Sequence, residues 1–217
     1  MPRPIKVVFT RHADRSDKNK TGLTRVGLNR AKAQGAKRAI DNLIVKRYSS
    51  LAKRSLSTAT KAQKGYVEAK GKPYVLRTRK DITTPVPNKK EWQRIVREDF
   101  KGNKQAATIA WLRGKIPGDV VLKPELVISQ IIKKRIGLGK RIVRFGAKDI
   151  MLENFTHQEL MLGIFEMLTG QKVDKLSNRL DIGFVESFEI SLYKNGKATL
   201  KLKNKTYDVT KRINKLI

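Results

Sequence analysis

Cysteine is absent from the 217 residues, so disulfides and thiolate metal sites are excluded and the interior must be held by packing alone. Histidine occurs only twice, and the chain offers no convincing metal constellation and no sign of a cofactor. No run approaches the roughly 20 apolar residues of a membrane span, and the first apolar stretch is far shorter than a signal-peptide core. These absences lead us to expect a cytoplasmic, unanchored protein. Acidic residues are also scarce: 19 Asp and Glu stand against 49 Lys and Arg, a formal net charge of +30.

What is present points to a folded chain. Hydrophobic residues make up 39% of the sequence, enough for a core beside 31% charged residues, and the length suits one domain spanning residues 1–217. The positive charge suits a polyanionic partner or the steering of anionic substrates. It is spread from Lys18 and Lys20 to Lys211, Arg212 and Lys215, so it identifies no site, and a lysine-favouring composition explains it equally well. Lys133-Lys134-Arg135 and the nearby Lys140-Arg141 invite a nucleic-acid reading but have the pattern of a solvated helix face.

Hydrophobic periodicity sketches the order of elements. Residues 5–10 form a short β-rich run suited to a buried first strand, and Thr24 is a candidate N-cap for a helix whose face carries Val26, Ala33, Ala36, Ile40, Leu43 and Ile44. A strand at 46–50 leads into a helix over 51–68 with a small-residue face of Ala52, Ser55, Ala59 and Ala62. We expect a strand over 74–82, helices near 89–97, 104–113 and 124–136, and a strand over 148–155 that ends at Thr156-His157. A helix closed by Gly170 follows, and then a hairpin over 185–193 and 197–202. Such alternation predicts a three-layer α/β sandwich: a largely parallel central sheet flanked by helices, plus a C-terminal β-hairpin. Ligands bind such sheets beyond the carboxyl ends of the strands, where Arg11, His12 and His157 are expected. Trp92 and Trp111, in helical segments, read as core residues.

Arg11-His12-Ala13-Asp14-Arg15 places an imidazole between guanidinium groups, a combination suited to attack on phosphorus because the cations offset the charge of the phosphoryl oxygens. Thr21-Gly22-Leu23-Thr24-Arg25-Val26-Gly27, with Ala31 beyond it, then resembles the helix start that follows the Arg-His motif of the histidine phosphatase superfamily, the phosphoglycerate mutase-like enzymes. Ser49-Ser50 with Arg54 and Thr58-Ala59 resembles the Ser-rich turn and phosphate-binding arginine of that family, and Phe155-Thr156-His157 the strand end carrying its second histidine. The four elements keep the family's order across residues 5–170, and both histidines of the chain fall at motif positions.

The resemblance implies a phosphatase of the histidine acid type. His12 would be the nucleophile that becomes a phosphohistidine, and Arg11, Arg54 and His157, with Arg15, would bind the equatorial phosphoryl oxygens. It implies no metal, no cofactor, and a phosphorylated small molecule or phosphoprotein as substrate. Mutase activity shares the intermediate and stays open, as does the oligomeric state. The alternative from another class is a non-catalytic or weakly catalytic basic protein of the same fold that binds nucleic acid or another polyanion. Two departures stand out. Ala13 replaces the usual glycine, and Gln158 follows the second histidine where some members carry an acidic proton donor. Other members draw a carboxylate from the segment after the second arginine motif, which leaves Asp81, Glu91, Glu98 and Asp99 as candidates, with Asp14 and Glu159 beyond them, or none. With no acid, the substrate would need a good leaving group, such as that of a phosphoramidate or anhydride.

Overall fold

The computed structural model describes residues 3–14, 16, 23–40, 43–69, 71–72, 74–147, 149–173 and 186–217. Its centre is a sheet of seven strands: β1 (Ile5–Arg11), β2 (Ile44–Ser49), β3 (Arg77–Thr78), β4 (Ile150–Thr156), β5 (Ser187–Leu192), β6 (Ala198–Leu202) and β7 (Lys205–Asp208). The order across the sheet is β3-β2-β4-β1-β5-β6-β7. β1 to β4 are mutually parallel, and β5 to β7 add an antiparallel meander beside β1. The expected sandwich and hairpin are therefore present, with β7 and a last helix, α8 (Thr210–Leu216), extending the hairpin.

Helices cover both faces. α1 (Arg25–Ile40) and α2 (Lys53–Glu68) lie on one side, where Val8, Val45, Met151 and Phe155 point. α3 (Lys89–Glu98), α4 (Lys104–Leu112), α5 (Pro124–Ile131), α6 (Gly137–Arg144) and α7 (Gln158–Thr169) belong to the other side, over Ile5, Val7, Phe9 and Leu152 in the main core. All seven β4 residues are buried, as expected of a strand covered on both faces. None of the helices among the described residues is long and apolar enough to cross a membrane.

Three sequence expectations need correction. The apolar stripe assigned to α1 is not its buried face: Val26 and Ile40 are 57% and 78% exposed, whereas Gly27, Ala31 and Gly35 are buried. α1 and α2 approach so closely that a Cβ on Gly35 would lie 1.8 Å from the Ala62 carbonyl oxygen, so the contact selects residues almost without side chains. Leu43 and Ile44 belong to the approach to β2 and to β2 itself, not to this helix.

The strand expected over 74–82 pairs only at Arg77 and Thr78 and then turns helically through Lys80–Ile82. Two contacts hold that turn: Arg135 donates to Asp81, and the Thr156 hydroxyl donates to the Ile82 carbonyl at 2.7 Å. Arg135 thus does not belong to a solvated face. It is buried in a wide helical turn, Ile132–Ile136, that joins α5 to α6, so the helix expected near 124–136 continues to Arg144. Gly170 does close α7, with a φ of 77° that a side chain would strain.

Candidate active site

The carboxyl ends of β1 and β4 lie side by side, with Arg11 opposite Thr156 in the register. One step further, the His12 amide donates to the Thr156 carbonyl at 3.1 Å, which holds the two histidine segments together. His157 is the N-cap of α7. The rings of His12 and His157 meet nearly edge to face, with centroids 5.2 Å apart. Residues 145 positions apart in the sequence thus share one site because adjacent parallel strands end there.

The loop carrying His12 is tied to the element carrying Arg54. The Thr58 hydroxyl donates to the Arg54 carbonyl at 2.7 Å and accepts from the Ala13 amide at 3.0 Å. Thr24 accepts from the Gly27 amide at 3.0 Å, as expected of an N-cap, and its own amide donates to the Asp14 carbonyl. A Cβ on Gly27 would lie 3.0 Å from Ala13 Cβ, so the glycine of this motif makes room for the loop. Ala13 is fully buried and is not among the residues with positive φ, so the backbone here does not require the glycine usual in the family. Arg54 lies in the first turn of α2, half-buried, beyond the Ser49-Ser50 turn. The Ser50 hydroxyl is 3.4 Å from His157 Nε2.

The tautomer of His12 follows from its partner. Nδ1 lies 2.9 Å from the Ala13 carbonyl oxygen, which can only accept, so Nδ1 carries the proton and Nε2 keeps its lone pair. Burial is the main cause that lowers its pKa from 6.5 to about 4; the Ala13 bond opposes this, while His157, Arg54 and Arg11 add to it. The ring is therefore neutral at neutral pH. His157 is lowered as well, again chiefly by burial, with Glu159 acting in the opposite sense and Arg54 and Arg11 reinforcing the shift.

Arg11, His12, Arg54 and His157 line one cleft of about 420 Å³. Arg15, assigned to phosphate binding from the sequence, lies outside the described residues, as do Thr21 and Gly22 of the second motif. Thr84, Val86, Trp92, Lys104, Gln105, Thr108, Trp111, Val121, Gln158, Glu159 and Leu162 complete the wall. The tryptophans read as core serve both purposes: Trp111 is 2% exposed and donates to the Leu122 carbonyl, yet it lines the cleft. Among the wall residues not named from the sequence, Thr84 was the most open to detection, because it closely follows a parallel strand. Nothing in the sequence marks Thr108, Val121 or Leu162.

Most of the candidate carboxylates are engaged elsewhere. Asp81 takes two bonds from Arg135, at 2.7 and 2.5 Å. Glu91 and Glu98 pair with Arg94 on α3, Asp99 lies 3.9 Å from the same arginine, and Asp14 is 4.0 Å from Arg30. None of these five lines the cleft, whereas Glu159 does, and its carboxylate accepts from the Thr84 hydroxyl at 3.0 Å. Among the described residues, no cluster of three or more His, Asp or Glu could hold a metal ion.

No protein-family model matches the chain, and no curated protein matches it by sequence. Solved structures do share the fold. A mycobacterial hydrolase aligns with a TM-score of 0.64 at 14% identity, over 93% of this chain and 99% of that one. A mycobacterial glucosyl-3-phosphoglycerate phosphatase, in complex with inorganic phosphate, aligns at 0.62 and 16%, over 92% and 97%. The phosphoglycerate mutase of Bacillus anthracis str. Sterne aligns at 0.60 and 17%, over 99% and 97%. The chain therefore has the phosphoglycerate mutase-like fold that its motifs suggested.

Proposed function

We propose that the chain is a phosphohydrolase that removes a phosphoryl group from a phosphorylated substrate through a phosphohistidine on His12. The observation that carries this reading is the state of the His12 ring: neutral, its proton held on Nδ1 by the Ala13 carbonyl, in a cleft shared with Arg11, Arg54 and His157. The Nε2 lone pair attacks phosphorus as the bond to the leaving oxygen breaks on the far side. The guanidinium groups and the His157 ring stabilise the three equatorial oxygens, where this transition state needs electrostatic help most. Water then attacks the phosphohistidine, and Nε2 recovers its lone pair.

A phosphatase and a mutase among the structures of this fold support phosphoryl-transfer chemistry. A cleft of about 420 Å³ suits a small phosphorylated molecule or a phosphorylated side chain. The test is hydrolysis of an aryl phosphate, with radiolabel trapping of the phosphoenzyme. His12→Ala should lower turnover by about 10⁴-fold or more and abolish labelling. Turnover and label that survive His12→Ala would overturn the proposal. If instead the unaltered chain turns over no phosphorylated substrate and takes up no label, the charge of +30 favours the polyanion-binding alternative, in which affinity falls steeply with salt.

A further inference from the structure

Phosphoryl transfer from an ordinary ester needs a proton for the departing oxygen, and the wall of this cleft restricts where that proton can come from. Val86, Trp92, Trp111, Val121 and Leu162 line the cleft with side chains that carry no acidic proton. Among the described residues that line the cleft, Glu159 is the single carboxylate. Asp81, the candidate closest in sequence to the arginine motif, is clamped by Arg135. Glu91, Glu98 and Asp99 gather around Arg94 away from the cleft. Lys104 also lines the cleft, but it is exposed, whereas Glu159 is half-buried.

Glu159 is also well fixed. It sits in the first turn of α7, two residues beyond His157, and Thr84 donates to its Oε1 from the facing segment. That segment is itself anchored: Thr156 donates to the Ile82 carbonyl, and the Leu51 amide donates to the Thr83 hydroxyl at 2.9 Å. The carboxylate is near enough to His157 for its charge to favour the protonated ring. Gln158, in the position where the family resemblance leads one to look for an acid, has no proton to give.

Resting on the phosphohistidine reading, we infer that Glu159 is the catalytic proton donor and acceptor of this site. In the first step the His12 Nε2 lone pair forms the N–P bond, the P–O bond to the leaving group breaks, and the carboxyl proton of Glu159 passes to the departing oxygen. In the second step a water oxygen attacks phosphorus, the N–P electrons return to Nε2, and the water proton passes to the Glu159 carboxylate. The cycle returns every group to its starting form. The substrate class then widens from phosphoramidates and anhydrides to ordinary phosphate esters with poor leaving groups.

The experiment compares phenyl phosphate with 2,4-dinitrophenyl phosphate in the wild-type chain, Glu159→Gln and Glu159→Asp, with rapid-quench labelling of His12. Glu159→Gln should slow phosphoenzyme formation about 10²- to 10⁴-fold with phenyl phosphate and less than about tenfold with the dinitrophenyl ester, whose leaving group needs no proton. With the dinitrophenyl ester, label should accumulate on His12 because attack by water has lost its base. Glu159→Asp should recover part of the phenyl phosphate rate. Equal losses on both esters, or no loss on phenyl phosphate, would overturn the assignment. If the wild-type chain takes up no label from either ester, the phosphohistidine reading itself fails, and this inference with it.

Discussion

Arg47 and Arg54 belong to the same strand-turn-helix unit, yet the fold treats them in opposite ways. Arg47, on β2, points under α1 and α2, where its Nε donates to Glu153 at 2.9 Å and its terminal nitrogen donates to Gln63 at 2.7 Å. Its guanidinium also stacks 4.7 Å from the centre of the Tyr66 ring. Arg54, at the start of α2, instead lines a cleft where Arg11, Arg54 and Lys104 outnumber Glu159. The first region gives Arg47 an internal counter-charge, Glu153, which Arg38 also approaches at 3.9 Å, and the second gathers positive charge that the proposed function assigns to an anionic substrate. Burial of an arginine alone therefore says little about function; the surrounding charge balance says more.

The most severe way to break this contrast is to remove the internal partner. Arg47 and Glu153 have fully buried side chains, so Glu153→Gln leaves a guanidinium in the core without its counter-charge. Urea denaturation should show a loss of about 3–5 kcal/mol, and replacing both residues with apolar ones should recover much of it. The folded fraction of Glu153→Gln should keep its kcat/KM. Arg54→Ala is the mirror case: stability should stay within about 0.5 kcal/mol, while kcat/KM falls about 10²- to 10³-fold. A Glu153→Gln variant that folds as well as the wild type but loses activity would undo the distinction.

Acid should weaken the cleft through His12. Its folded pKa of about 4 lies below the ordinary 6.5, so between those values the unfolded chain binds a proton that the folded chain does not. Stability is thus unaffected above about pH 6.5 and declines as pH falls towards 4, by about 3 kcal/mol in total from this one group. His12→Asn should flatten that part of the stability-pH curve. The same protonation removes the lone pair of the proposed nucleophile, so the acid limb of kcat/KM should fall near pH 4 rather than near 6.5.

Much of this arrangement was legible before the fold. The two histidines and Arg11 could be placed at strand ends marked by the pattern of apolar residues, and Arg54 by the resemblance of its segment to a family motif. The α1–α2 contact was not, because glycine and alanine produce no hydrophobic stripe and their meaning emerges only when two backbones touch. The Arg47–Glu153 pair was hidden for a related reason: nothing in the sequence says that a charge on one strand meets its opposite on a neighbour 106 residues away. Arg135 misled for the converse reason, since it occurs in a run of charges but turns inward to Asp81. Of the cleft wall, Trp92, Trp111, Gln158 and Glu159 were weighed from the sequence, whereas the rest escaped detection because they are single residues from separate segments with no shared motif.

The smallest expected effect tests how tightly the loop carrying His12 depends on the α2 unit. Thr58 is buried, and its hydroxyl is the shared atom between the Ala13 amide and the Arg54 carbonyl. Thr58→Val keeps the shape but leaves a buried amide beside His12 without its acceptor, at a cost of about 1–3 kcal/mol. Thr58→Ser keeps the hydroxyl and should restore most of that loss. Because Ala13 also supplies the carbonyl that fixes the His12 tautomer, Thr58→Val should lower kcat more than it raises KM. A loss of stability with unchanged kcat would instead make the threonine a brace for α2 alone, with the histidine loop held by the Thr156 and Thr24 contacts on its other side.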